Sequence, residues 1–169
     1  MAYLHENRAC GWVPPLMEIS DLLQPKSVVA GLKATSKKQA LQELAKHAAE
    51  LTGANERRIF ETLLERERLG TTGVGNGIAI PHGKLGEFKR LHGLFARLEK
   101  PIDFEAIDEQ PVDLIFLLLA PEGAGADHLK ALARVSRLLR DAAMCEKLRG
   151  AKGSDGLYML LTQSEAQAA

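Results

Sequence analysis

One histidine, His82, follows a glycine-rich turn and a short apolar run in the stretch Gly70 to Lys84, GTTGVGNGIAIPHGK. A neutral imidazole is a nucleophile at physiological pH, and glycines let main-chain N–H groups come close to an anion. Gly73, Gly75 and Gly77 are therefore candidate phosphate-binding positions. Ile78, Ala79 and Ile80 form a run short and apolar enough for a buried strand. Pro81 is expected to stop it, since proline lacks a ladder donor and fixes its own φ. His82 would then stand at a strand end, with Gly83 leaving one flank open to a visiting macromolecule. By residue type alone, the same stretch also fits an ordinary loop ahead of a surface or packed histidine.

Two nucleotide-binding patterns are excluded. A Walker loop has a strand before it, a helix after it and Gly-Lys-Ser/Thr at its end, whereas here a helical pattern precedes and a strand follows. The dinucleotide pattern fails because its third glycine would fall at position 78, which is Ile78.

Together with IDFEAIDEQPVDLIFLLLAP further on, GTTGVGNGIAIPHGK resembles the nitrogen-regulatory enzyme IIA family of the phosphoenolpyruvate-dependent phosphotransferase system. The resemblance spans residues 17–163 and implies a single α/β domain of the fructose/mannitol IIA type, with a mixed sheet flanked by helices on both faces. It makes His82 the acceptor, through Nε2, of a phosphoryl group from an HPr-like phosphocarrier protein. It places Arg66 beside that histidine and assigns His128 to orienting or stabilising the phosphoryl group. Neither a cofactor nor a metal is implied. The output is regulatory, the phosphorylation state being read by other proteins such as potassium-transport systems. Rival readings are a sugar-specific enzyme IIA that donates to a IIB domain, and a module in which unphosphorylated His82 helps bind an anion. A metal hydrolase built on His82, His92 and His128 lacks the His-Glu-His spacing.

The elements that must position these residues are legible in outline. Val28 and Val29 suggest a strand, and Ser36 with Gln39 has capping-box spacing ahead of a helix bearing Ala40, Leu41, Leu44, Ala45, Ala48 and Leu51. Gly53 supplies its stop, and His47 is expected at the core edge. Asn55 is a cap for a second helix with Ile59, Phe60, Leu63 and Leu64 inward. Arg66 and Arg68 fall in its last turn, where cations offset the helix dipole; Arg68 is expected to be solvated. Leu91 to Leu98 is strand-like, and Val112 to Leu119 is expected to be a central strand buried on both faces. The strands are expected to be separated by helices. Asp103 and Asp108 read as turn formers rather than an acid–base pair.

A third helix carries Leu129, Leu132, Val135, Leu138 and Leu139 with amphipathic spacing, and His128 falls in its first turn. There the free amides favour a nearby anion and a neutral ring, although capping or surface exposure fits the sequence equally. Asp141 and Ser154 are expected to cap two closing helices. Ile78, Ile80, Leu85, Phe88 and Leu91 are available either for an apolar docking rim around His82 or for the core.

Composition sets the outer bounds. With 169 residues, 46% of them hydrophobic, the chain can bury one substantial core. Its 22 basic and 22 acidic side chains balance, so no global field attracts nucleic acid or an anionic membrane. No stretch has the length of a membrane span, and Cys10 and Cys145 are too few for a disulfide framework; Cys145 is expected to be buried in a helix. The first sixteen residues lack the apolar core of a secretory signal. They are expected to form a flexible extension, residues 164–169 a fraying tail, and the protein to be cytoplasmic.

Overall fold

The computed structural model describes residues 17–163; the expectations for residues 1–16, Cys10 included, and for the tail at 164–169 lie outside the described residues. A one-turn helix α1 (Ile19–Leu22) and a 3-10 turn (Pro25–Ser27) lead into strand β1 (Val28–Leu32). Helix α2 (Lys37–Thr52) opens on Ser36, whose hydroxyl accepts from the Gln39 amide at 3.1 Å, and closes on Gly53 in the left-handed region. The Gln39 side chain takes the Thr35 amide at 2.7 Å, so the reciprocal half of the cap falls one residue earlier than a capping box would place it. Asn55 caps helix α3 (Glu56–Leu69) by accepting from the Arg58 amide at 3.0 Å. Ile59 and Leu63 turn inward, with Phe60 and Leu64 half-buried beside them.

Five more strands follow: β2 (Gly73–Gly75), β3 (Ile78–Ala79), β4 (His82–Lys84), β5 (His92–Ile102) and β6 (Val112–Ala120). Their order is β1-β5-β6-β3-β2, with β4 also on β6. Strands β1 and β5 pair parallel, β5 and β6 antiparallel, and both β3 and β4 run parallel to β6, which makes the sheet mixed. Two expectations change here. Pro81 does not end the strand but interrupts it, because the chain returns to the same neighbour, His82 opposite Leu118. Nor do helices separate these strands: none intervenes between β2 and β6, and β5 joins β6 through residues 103–111. Asp103 and Asp108 serve that loop by accepting from the Glu105 and Gln110 amides at 2.9 and 3.2 Å.

Helices α2 and α3 fall between β1 and β2, the others before β1 or after β6, and together they cover the two faces of the sheet. Val112 and every residue from Leu114 to Ala120 are buried, as a central strand requires. Ile115, Leu117 and Leu119 face α2 and α3, while Leu114, Phe116 and Leu118 face the other layer. That second layer consists of α1 and the closing helices α4 (Gly125–Arg140), α5 (Ala142–Gly150) and α6 (Gly153–Gln163). Full burial of each such side chain contributes about 2 kcal/mol, so the strand that carries the site's neighbours is firmly held. Asp141 caps α5 by accepting from Ala143 and Met144, whereas Ser154 lies inside the first turn of α6 rather than at its cap position. Cys145 is buried as expected.

Candidate functional site

The β3–β4 path is anchored along β6, and where it reaches Leu118 it presents His82, half-buried, at the sheet's edge of solvent. Its Nδ1 lies 2.9 Å from the Ile80 carbonyl. A carbonyl only accepts, so Nδ1 carries the proton and the lone pair belongs to Nε2. Arg66, in the last turn of α3, donates from Nε to that Nε2 at 3.2 Å and from Nη1 to the Gly70 carbonyl at 2.9 Å. The helix end and the strand meet closely because Gly83 has no side chain: a Cβ there would come within 2.7 Å of Thr62 Cγ2. Gly83 is therefore buried against α3, and the open flank expected of it is filled.

His128, in the first turn of α4, approaches from the other layer, its ring centroid 5.5 Å from that of His82 in an edge-on arrangement. It is 6% exposed, which removes the surface reading, and its Nε2 has no hydrogen-bond partner. A buried polar atom left unpaired is costly, and such atoms mark sites that await a group. Burial pushes the His82 ring below the ordinary imidazole range; the Ile80 carbonyl opposes this, and the Arg66 guanidinium adds to it. Burial likewise lowers His128, with His82 and Lys84 reinforcing it. Both rings are neutral at physiological pH.

Around them lies an open groove of about 550 Å³ lined by Arg66, Arg68, Leu69, His82, Lys84 and His128. Lys84, missed in the sequence, lies two residues beyond His82 on β4 and adds a second cation beside Arg66. Arg68, expected to be solvated, is exposed at the groove's rim. The expected apolar docking residues are elsewhere: Ile78, Ile80, Leu85 and Phe88 belong to the core, and Leu91 is half-buried against it. The exposed apolar side chain on the groove is instead Leu69, 85% exposed, while Leu129, next to His128 on α4, is 68% exposed as His128 points in. A similar groove of about 570 Å³ at the start of α2 holds no histidine, and of its carboxylates the buried one, Glu67, is already paired with Lys37.

The structure does not bring the three glycines to His82. Asn76 and Gly77, both at positive φ, form the two-residue turn between β2 and β3, and Gly73 and Gly75 lie in β2 itself. Gly77 is five residues upstream of His82, about 16 Å along an extended chain. The turn's neighbours are Asp108, Asp113 and Arg149, and the guanidinium is already taken up by Asp113 and the Asn76 carbonyl; Asp108 accepts from the Asn76 amide at 2.9 Å. Asn-Gly between two short runs is a hairpin signal, and it could have separated this turn from the site. His92 packs against Phe88, ring centroids 5.4 Å apart, outside the His82–His128 pair. Among the described residues, no three His, Cys, Asp or Glu side chains converge as a metal site.

Residues 21–164 match the family described as phosphoenolpyruvate-dependent sugar phosphotransferase system, EIIA 2. A nitrogen regulatory protein of Bradyrhizobium diazoefficiens is 62% identical over 153 residues, covering 90% of this chain and 100% of that one. One from Escherichia coli is 42% identical over 150 residues, with 88% and 92% covered. Among solved structures, the nitrogen regulatory protein IIA-Ntr of Neisseria meningitidis superposes with a TM-score of 0.81 at 33% identity, over 85% of this chain and 99% of that one. The mannitol IIA of Escherichia coli shares the fold, with a TM-score of 0.70 at 22% identity over 82% and 98%.

Proposed function

The chain belongs to the EIIA 2 family of the phosphoenolpyruvate-dependent sugar phosphotransferase system, and within it we propose that His82 accepts a phosphoryl group from an HPr-like phosphohistidine carrier. The observation that carries this is the tautomer: the Ile80 carbonyl takes the Nδ1 proton, leaving an unprotonated Nε2 facing the groove. The Nε2 lone pair attacks phosphorus, an N–P bond forms, and the N–P bond to the carrier's histidine breaks, its electron pair returning to that ring. Positive character gained by His82 is stabilised at Nδ1 by the Ile80 carbonyl.

Arg66 donates to Nε2 in the resting site, so it must release that contact as the bond forms, and its fork of N–H groups then meets the phosphoryl oxygens. His128, with its unpaired Nε2 beside the acceptor ring, supplies a second polar contact to the same oxygens. No step needs a metal or cofactor. Exposed Leu69 on the groove offers the carrier an apolar docking point, through an interface small enough to release between transfers.

The role is regulatory: the relatives at 62% and 42% identity are both described as nitrogen regulatory proteins, and this protein's phosphorylation state would be read by targets such as potassium-transport proteins. The working unit is residues 17–163 in the cytoplasm, where the carrier resides. Incubation with phosphoenolpyruvate, enzyme I and an HPr-like carrier should add one acid-labile phosphoryl mass to the wild type and none to His82→Ala. Full labelling of His82→Ala removes His82 from the mechanism. Rapid delivery from the phosphorylated protein to a IIB domain would instead favour the sugar-transport reading.

A further inference from the structure

Glu67 is a buried carboxylate that the phosphoryl chemistry does not touch, its side chain only 3% exposed. Three donors converge on it: Lys37 Nζ at 2.7 Å, the Thr72 amide at 3.1 Å, and the Thr72 hydroxyl. A carboxylate so enclosed is stable only when paired, so these groups are held together as one unit. Thr72 is fastened on its other side too, its carbonyl accepting from the Ile80 amide at 2.9 Å. The carbonyl of Ile80 then takes the Nδ1 proton of His82. Bonds thus run without a gap from Lys37 through Glu67, Thr72 and Ile80 to the imidazole. Glu67 also sits directly after Arg66 at the end of α3, so the same residue ties the helix that bears the guanidinium to the strand that leads to the ring.

We propose that Glu67 is a positioning residue: by fastening Thr72 to the end of α3 it fixes the Ile80 carbonyl that selects the His82 tautomer, and the helix end from which Arg66 reaches Nε2. This rests on the reading of His82 as a phosphoryl acceptor. It differs from a purely structural role, which would lower the melting temperature and leave the ring of the folded protein unchanged.

The test reads the ring itself. Long-range nitrogen–proton NMR spectra of the His82 imidazole distinguish the two tautomers, and mass measurement follows phosphoryl acceptance from a phosphorylated HPr-like carrier. Wild type should show the Nδ1–H form alone. Glu67→Ala should show both forms and accept the phosphoryl group about tenfold more slowly. Glu67→Gln, which keeps an oxygen for Thr72, should recover part of both signals. Should Glu67→Ala not fold, Thr72→Val and Lys37→Met carry the same expectation from either side of the carboxylate. A folded variant with a wild-type ring spectrum and a wild-type rate overturns the proposal, as does a change in melting temperature alone. If wild type accepts no phosphoryl group, the proposed function falls, while the ring spectra still decide the role of Glu67.

Discussion

The two ends of the β3–β4 path along β6 contrast sharply. At the Asn76–Gly77 turn the polar groups are answered: Asp108 takes the Asn76 amide at 2.9 Å, and Arg149 gives Nη2 to the Asn76 carbonyl at 2.9 Å. The same guanidinium grips Asp113 with two bonds, at 2.8 and 3.0 Å. At the His82 end the Nε2 lone pair meets only a long, redeployable arginine, and the neighbouring His128 Nε2 meets nothing. The glycine-rich end is thus finished as structure, and the end with unanswered polar atoms is where a ligand gains by arriving. Glycine content marks the turn; unpaired nitrogen marks the site.

The contrast can be broken most severely at Arg66. Arg66→Ala should slow phosphoryl acceptance about a hundredfold, the scale for removing one donor from a developing oxyanion, while Arg66→Lys recovers only part because an ammonium lacks the fork. Rapid-quench transfer assays would show this, and a wild-type rate for Arg66→Ala would erase the distinction between the two ends. Gly77→Ala should do the reverse. A Cβ there would lie 2.6 Å from Arg149 Nη2 at a φ of +80°, so stability should fall by about 2 kcal/mol with the transfer rate unchanged. Denaturant melts read the first quantity and the transfer assay the second.

Smaller effects sharpen the picture. His128→Ala should slow transfer about tenfold and leave the acceptor competent, since it removes one polar contact and no nucleophile. The mildest effect concerns acid. Burial holds both rings below the ordinary 6.5. Between 6.5 and the lower folded values the unfolded chain binds more protons than the folded one, so stability is intact above about pH 6.5 and declines as pH falls. The melting temperature should therefore drop from about pH 7 to about pH 5, and less steeply in His128→Ala.

Much of this was legible beforehand where local chemistry decides. Ser36, Gly53, Asn55 and Asp141 bound helices as their types dictate, and the unbroken apolar run of β6 announced a strand buried on both faces. What the sequence could not tell is which of two plausible partners a residue meets. Leu129 and His128 are adjacent on α4, and apolar spacing favoured the leucine as the inward residue; the neighbouring imidazole of His82 reversed that choice. Leu69 closes the charged last turn of α3, and because the helix stops there it is left bare. Pro81 reads as a terminator, but parallel pairing with β6 resumes at the next residue, because its missing donor falls between two ladders. Glu67 hid within a charged run whose other members are exposed or half-buried; only the fold shows that one of them is enclosed.

The carbonyl of Ile80 carries one more consequence. Because it already holds the imidazole proton, the proposed exchange of phosphorus at the opposite nitrogen asks no hydrogen of this ring to change owner in either direction. Uptake and release then become mirror images, governed by how alike the two nitrogen–phosphorus bonds are, and heavy water should leave the speed of both untouched.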